Sequence, residues 1–237
     1  MGIKIMNLMP ITADVMTPEI FAYMCKYLEP TTEVITDQIK TGPVTIECEY
    51  DDALAAPAVL ELCKKAELNG FDGIFINCFA EPGVRAAREY VKIPVYGGFE
   101  PAAHIALGLA DKISIVTVVP NVVPRMEGNV AHAHLDKRFV SVRNVNIPVE
   151  EIGDHEKLCQ ALVKESLAAI REDGAQAIVL GCTGFVGVAE RIKADLLAEN
   201  YDVPVIEAAQ AALKMLELHA KMGLRHSRLT YMTPPEK

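Results

Sequence analysis

The amino-acid sequence predicts an α/β fold made of two similar halves, each with a parallel sheet, and two observations lead to this prediction. Short β-branched or apolar runs alternate along the chain with segments of helical period, which is typical of buried parallel strands joined by helices. In addition, one motif that contains a cysteine occurs twice, with similar elements on either side of it.

The strands are predicted in the runs that are richest in apolar and β-branched residues, namely residues 3–9, 73–77, 94–96, 113–119, 177–180 and 204–206. The helices fit between them. They are predicted near Pro18 and over residues 53–68, 82–90, 156–171, 188–199 and 210–222. Two segments are predicted to lack both, a surface connection over residues 144–154 and a loose tail over residues 230–237.

The repeated motif runs from Gly70 to Val84 and again from Gly174 to Val188, so that Cys78 and Cys182 take equivalent positions 104 residues apart. Each copy is followed by a helix and by a strand that opens with proline. The strands before the two copies also match, at an offset of 110. Each cysteine therefore lies just beyond a strand and just before a helix, at the carboxyl edge where open parallel sheets bind ligands.

We expect two flavodoxin-like lobes related by pseudo-twofold symmetry, with the active site in the cleft between them. The first lobe is predicted over residues 1–98 and 209–237 and carries Cys78. The second is predicted over residues 99–208 and carries Cys182. Related in this way, the two thiols approach a bound molecule from opposite sides.

Composition narrows the class of partner. The formal net charge is −9 and long runs of lysine or arginine are absent from the sequence, which argues against nucleic acid and against anionic membranes. Neither a signal peptide nor a membrane-spanning run is apparent, so we expect a cytoplasmic protein with reduced thiols that acts on a small molecule.

Two facing thiols suit proton exchange at a stereocentre, because inversion needs a base on one face of a carbon and an acid on the other. A helix N-terminus can lower the pKa of a thiol toward working pH, which would make it a useful base. Gly83, Gly184 and Gly187 would let backbone N–H groups approach a developing enolate oxygen. The pattern predicts a racemase or epimerase.

Other reactive side chains have plainer interpretations. The four cysteines outside the repeat are expected to pack in the core, and these are Cys25, Cys48, Cys63 and Cys159. His132 and His134 have no third ligand at a suitable spacing, so we predict no metal site. The glycines around Cys182 do not form a dinucleotide-binding fingerprint, and no phosphate-binding loop is present.

Further motifs accompany the two cysteines, namely Gly-Pro-Val-Thr-Ile-Glu at residues 42–47 and Cys-Phe-Ala-Glu-Pro-Gly at residues 78–83. With them the chain resembles, over nearly its whole length, the hydantoin and allantoin racemase branch of the aspartate/glutamate/hydantoin racemase superfamily. The resemblance implies a cofactor-independent racemase, without metal or pyridoxal phosphate, in which Cys78 and Cys182 exchange the roles of base and acid. It also implies a homo-oligomer.

The resemblance further implies a set of substrate-binding residues, carried over position by position: Pro10, Ile11, Thr12, Phe79, Thr117, Val118, Thr183 and Gly184. Three of the aligned positions depart from the family pattern. Met9 and Ile11 stand where relatives have asparagines, and Val118 where they often have threonine. We therefore expect a substrate that is less polar on that side, most simply a 5-substituted hydantoin, and not a dianionic amino acid.

Two other functions are compatible with the same pattern. A cis–trans isomerase or a decarboxylase of the superfamily would use the same cleft, although a decarboxylase that needs one proton donor is expected to keep only one cysteine. A non-catalytic small-molecule binding protein would keep the cleft and lose turnover, with Met9 and Ile11 as signs of drift.

Overall fold

The computed structural model describes residues 2–235 and contains two four-stranded sheets with helices around them. The strands are β1 (Ile3–Met9), β2 (Thr32–Gln38), β3 (Gly73–Ile76), β4 (Val95–Tyr96), β5 (Ile113–Thr117), β6 (Phe139–Asn144), β7 (Ala177–Leu180) and β8 (Val205–Glu207). The helices are α1 (Pro18–Met24), α2 (Glu49–Leu68), α3 (Val84–Tyr90), α4 (Phe99–Leu107), α5 (Val123–His132), α6 (His155–Asp173), α7 (Ala189–Ala198) and α8 (Ala208–Lys221).

The two sheets have the same topology. Their strand orders are β2-β1-β3-β4 and β6-β5-β7-β8, and every pair is parallel. The prediction of an α/β fold with two similar parallel sheets is therefore confirmed. Strands β3, β5 and β7 are wholly buried, which agrees with the uninterrupted apolar sequences of β3 and β7, while β5 also buries Ser114 and Thr117.

The hydrogen-bond register corrects one detail of the repeat. Ile5 pairs with Gly73 in the first sheet and Ile113 pairs with Ala177 in the second. Strands β1 and β5 are thus equivalent at an offset of 108, and not at the 110 that matching prolines indicated. As a result, Met9 is the structural counterpart of Thr117 at the end of the central strand.

The edge strands β2 and β6 were not predicted. Their sequences mix polar and apolar residues, and most of their residues are only partly buried, so they lack the apolar run that marks a central strand. Helices α4 and α5 were also missed, each with a proline in its first turn. Helix α2 begins at Glu49, four residues earlier than predicted.

Helix α8, near the C-terminus, packs against β1, β3 and β4 of the first sheet and against α4. It also contacts β8. The lobe boundaries at residues 98 and 209 stay a prediction. Within the described residues, no helix has the length and apolar character needed to cross a membrane.

Arg88 lies on α3, and its side chain is turned into the protein. Its side chain is 1% exposed, and its Nη1 and Nη2 atoms donate to the carboxylate of Glu100 at 2.8 and 2.6 Å. Its Nε atom donates to the carbonyl of Val95 at 2.9 Å, and Nη1 also donates to the hydroxyl of Tyr231 at 3.0 Å. Tyr231 is therefore held against α3, so the predicted loose tail is wrong at that residue. Residues 236–237 lie outside the described part.

Candidate active site

A cavity of about 280 Å³ lies between the carboxyl edges of the two sheets and is lined by residues of both. Cys78 follows β3 on one side and Cys182 follows β7 on the other, and both side chains contribute to the wall. Most of the wall is apolar, and its larger members are Met9, Ile11, Met16, Ile20, Met24, Ile46, Phe79, Val118, Val122, Met126, Val149 and Ile152.

Cys78 is fixed at the end of β3 by the sheet itself. The amide of Asn77 extends the β1 ladder by donating to Leu8 at 2.8 Å, and the carbonyl of Cys78 accepts from the amide of Gly98 at 3.0 Å. Burial raises the pKa of the Cys78 thiol to about 12, although the N–H groups of Ala80 and Glu81 act in the opposite direction.

Cys182 is held by the equivalent turn after β7. The preceding Gly181 is required there, because a Cβ atom would lie 2.6 Å from a methyl carbon of Ile115 and 2.9 Å from Cβ of Thr117. The amide of Gly184 donates to Sγ of Cys182 at 3.4 Å. Burial raises the pKa of this thiol to about 11, against the lowering effect of the Gly184 and Phe185 N–H groups.

Charge on Cys182 raises the pKa of Cys78. Backbone N–H groups lower both pKa values, but they belong to the turns after β3 and β7 and not to helices α3 and α7, which begin at Val84 and Ala189. Burial outweighs them, however, so the expectation of thiol pKa values close to working pH was wrong.

Six of the predicted binding residues line the cavity, namely Ile11, Phe79, Thr117, Val118, Thr183 and Gly184. Pro10 and Thr12 are not among the lining residues. Thr12 instead donates its amide and its hydroxyl to the carbonyl of Pro43, at 2.9 and 3.2 Å. The hydroxyl of Thr117 is also engaged within the protein, because it donates to the carbonyl of Gly181 at 2.9 Å.

Several lining residues were missed. Ile46 had a signal, because it lies in the Gly-Pro-Val-Thr-Ile-Glu motif. The segments around α1 and α5 and the connection from β6 to the first residue of α6 carry no local motif, and they supply Val15, Met16, Ile20, Met24, Val122, Met126, Val149, Glu150, Ile152, Gly153 and His155. Only the folded chain brings these segments to the cleft.

The connection after β6 covers the Cys182 side of the cavity. Its Val149 amide donates to the carboxylate of Glu47 at 2.6 Å, and this bond joins the two halves. The terminal methyl group of Ile152 packs closely on Gly184. A Cβ atom on residue 184 would lie 2.7 Å from that methyl carbon. Charge on Glu47 also raises the pKa of Cys182.

The cavity wall contains few charged groups. Among its described residues, Glu150 is the one acidic side chain and lysine and arginine are absent. Within residues 2–235, no group of three or more His, Cys, Asp or Glu side chains is placed to hold a metal ion. The arrangement can bind an uncharged or weakly charged organic molecule in a cavity to which both thiols contribute.

The two equivalent parallel sheets and the cavity between their carboxyl edges define an α/β protein with a thiol-lined small-molecule site, and comparison with known proteins identifies its family. The family model described as Asp/Glu/Hydantoin racemase matches residues 3–216. A hydantoin racemase of Pseudomonas sp. (strain NS671) is 34% identical over 238 residues, covering 100% of this chain and 93% of that protein.

Solved structures give the same result. An allantoin racemase from Klebsiella pneumoniae has a TM-score of 0.91 at 32% identity, covering 100% of this chain and 95% of that one. An allantoin racemase from Pseudomonas fluorescens has a TM-score of 0.90 at 31% identity, covering 99% of both chains. This chain therefore belongs to the Asp/Glu/hydantoin racemase family, and it is a racemase of the hydantoin racemase type.

Proposed function

We propose that this enzyme racemises a 5-substituted hydantoin by moving the C5 proton between Cys78 and Cys182. The observation that carries the proposal is that two thiols, at equivalent strand ends of the two sheets, line one cavity. The similarity to hydantoin and allantoin racemases supports the same chemistry. A homo-oligomer remains a prediction.

The proton transfer balances without a cofactor. One cysteine, as thiolate, takes the proton from the carbon next to the carbonyl, and the C–H electron pair moves into the enolate. The other cysteine, as thiol, delivers its proton to the opposite face and becomes the thiolate. The product is the mirror image of the substrate, and the two cysteines have exchanged their protonation states, so that the enzyme is ready for the reverse reaction.

The lining supports an apolar substituent at C5. Met9 and Ile11, which stand where the family has asparagines, both contribute apolar surface to the wall. The wall contains Glu150 and no lysine or arginine among its described residues, which disfavours a molecule with two carboxylates such as aspartate or glutamate. We therefore propose that hydantoins with alkyl or aryl-alkyl substituents react faster than allantoin, whose substituent is a polar ureido group.

The test is incubation of the reduced enzyme in D₂O with single enantiomers of alkyl and aryl-alkyl hydantoins, allantoin, aspartate and glutamate. We expect optical activity to fall while deuterium enters the α-carbon, fastest for the apolar hydantoins. Mass spectrometry and polarimetry on the same samples link the two events.

Achiral maleate serves as the parallel sample for cis–trans isomerisation, and release of CO₂ from an arylmalonate serves for decarboxylation. Turnover of either one without α-deuteration of any hydantoin would replace the racemase proposal with that activity. Thermal stabilisation by the hydantoins without exchange of hydrogen would instead indicate a binding protein.

Activity is expected to rise steeply with pH. The reaction needs one thiolate, and burial raises the pKa of both thiols, to about 12 for Cys78 and about 11 for Cys182. The thiolate fraction below these values grows tenfold per pH unit, so kcat/KM should increase about a hundredfold between pH 7 and pH 9 without a plateau. Initial rates corrected for spontaneous racemisation test this, and a plateau below pH 8 would contradict it.

A further inference from the structure

The two equivalent thiols are supported by different contacts. In the second half, the carbonyl of Gly184 accepts from the amide of Val186 at 2.9 Å, within the same turn. The equivalent of Gly184 in the first half is Ala80, and the equivalent of Val186 is Pro82. Proline has no N–H group, so the first turn cannot make this bond.

Side chains of the other half take its place. The carbonyl of Ala80 accepts from Nε of Arg125 at 3.1 Å and from Nδ2 of Asn129 at 3.4 Å. Both residues lie on α5, which follows β5 of the second sheet. The turn that carries Cys78 is therefore stabilised by side chains of the other half, whereas the turn that carries Cys182 is stabilised by a hydrogen bond within itself.

This contact controls the direction of an N–H group. The carbonyl of Ala80 and the N–H of Glu81 belong to one planar trans peptide, so they point in opposite directions. Arg125 lies on the carbonyl side, and the Glu81 N–H is one of the two N–H groups that act on the Cys78 thiol. A guanidinium on the carbonyl also polarises the peptide and strengthens its N–H as a donor.

Arg125 is itself oriented by the first turn of α2. Its Nη2 atom lies 3.3 Å from a carboxylate oxygen of Asp52, and its Nη1 atom lies 3.7 Å from Glu49. Asp52 is buried, and its Oδ1 atom has no hydrogen-bond partner in the described part of the chain. Burial raises the pKa of Asp52 to about 6, against the lowering effect of Arg125.

Glu81 restrains the peptide between Ala80 and Glu81 through contacts of its own. Glu81 has a φ of +65°, in the left-handed region, and its carboxylate accepts from the amide of Glu100 at 3.0 Å at the start of α4. Its side chain lies against Gly97, where a Cβ atom would be 2.5 Å away. The peptide between Ala80 and Glu81 thus has little freedom to rotate.

We propose that Arg125 is a positioning residue that favours the thiolate of Cys78 and leaves Cys182 unaffected, by holding the Ala80–Glu81 peptide. The role of Arg125 in catalysis rests on the proposed function, because in a two-cysteine racemase one thiol is protonated and the other is a thiolate before the substrate reacts. Its effect on thiol reactivity is independent of any substrate. The charged or titratable groups that face Cys78 are Asp52 and Cys182, and Glu47 faces Cys182.

The test is site-resolved alkylation of the R125Q variant with iodoacetamide between pH 7 and pH 9, followed by peptide mass spectrometry. Loss of Arg125 should raise the pKa of Cys78 by about one pH unit, which lowers its thiolate fraction about tenfold. The remaining thiolate is more nucleophilic, so the net alkylation rate of Cys78 should fall about threefold. The rate at Cys182 in the same sample should stay unchanged.

The direction of the change separates positioning from loosening. A turn that is merely loosened exposes Cys78 and speeds its alkylation. A rate at Cys78 that is unchanged or higher, or an equal fall at both cysteines, overturns the proposal. The conservative variant R125K keeps a cationic donor for the Ala80 carbonyl and should recover most of the rate, and a folded R125K as slow as R125Q would also count against it.

Two further variants serve as controls. R143Q removes another arginine with several carboxylate partners, including Asp173 at 2.6 Å, and should not change alkylation of Cys78. If R125Q fails to fold because Asp52 is left unpaired, D52N/R125Q is compared with D52N, and the same threefold fall at Cys78 is expected between them. Because no substrate is used, failure here leaves the racemase proposal standing, and the deuterium experiment tests that proposal separately.

Discussion

Serine in place of Cys78 or of Cys182 is expected to lower racemisation of the best hydantoin by about 10³-fold or more in kcat/KM. The reason is that positioned proton transfer contributes about 10² to 10⁴-fold, and a serine hydroxyl releases its proton far less readily than a thiol. Polarimetry on C78S and C182S at pH 8 measures the loss. C159S is the matched control, because Cys159 is buried on α6 and is not among the cavity-lining residues.

The single variants should also differ from each other in what they retain. With one thiol left, a proton removed from one face returns to the same face, so hydrogen exchanges with solvent without inversion. We expect slow deuterium uptake from one enantiomer in C78S and from the opposite enantiomer in C182S. Full racemisation by either variant would falsify the two-cysteine mechanism, whereas uptake from the same enantiomer in both would mean that the thiols do not face opposite sides of the substrate.

The second large effect concerns stability. R88M is expected to lower the free energy of unfolding by about 3 to 5 kcal/mol, because it leaves the carboxylate of Glu100 without its bidentate partner in a mostly buried site. The carbonyl of Val95 and the hydroxyl of Tyr231 lose a donor as well. Urea unfolding measures the difference.

An exposed ion pair provides the comparison. Arg171 and Glu199 are paired at 2.8 Å, with both side chains about half exposed, so R171Q should change stability by less than about 1 kcal/mol. In addition, R88M/E100Q should recover part of the loss in R88M, since it removes the unpaired charge. A loss in R88M no larger than that in R171Q would contradict the importance assigned to the buried pair.

The central part of the fold was predictable because its strands are mainly apolar, and β3 and β7 are apolar at every position. Residues 73–76 and 177–180 are buried at every position, and burial on both faces leaves one interpretation of such a run. The edge strand Thr32–Gln38 mixes polar and apolar residues without regular alternation, and most of them are only partly buried, so its sequence resembles a loop. Sheet register, which corrected the offset of the repeat, depends on hydrogen bonds and is invisible in a sequence comparison.

The site was predictable where the repeat carried information and not elsewhere. Cys78 and Cys182 were found because each has an equivalent in the other half. Arg125 lies on a helix that has no counterpart motif, and its contact with Ala80 spans 45 residues. The burial of Arg88 was not predictable for a similar reason, since its partners are Glu100 and Tyr231, and Tyr231 is 143 residues away.

Thermodynamics limits what the different contacts of the two thiols can do to the reaction. Two enantiomers have equal free energy in water, so detailed balance fixes the equilibrium constant of a racemase at one, and kcat/KM must be equal in both directions. The contact from Arg125 to the Ala80 carbonyl cannot bias the final mixture. It can change kcat and KM between the two enantiomers only by the same factor, which leaves kcat/KM equal. The unequal support of the two thiols would therefore be measured as a difference in KM, that is, in the concentration at which each enantiomer saturates the enzyme.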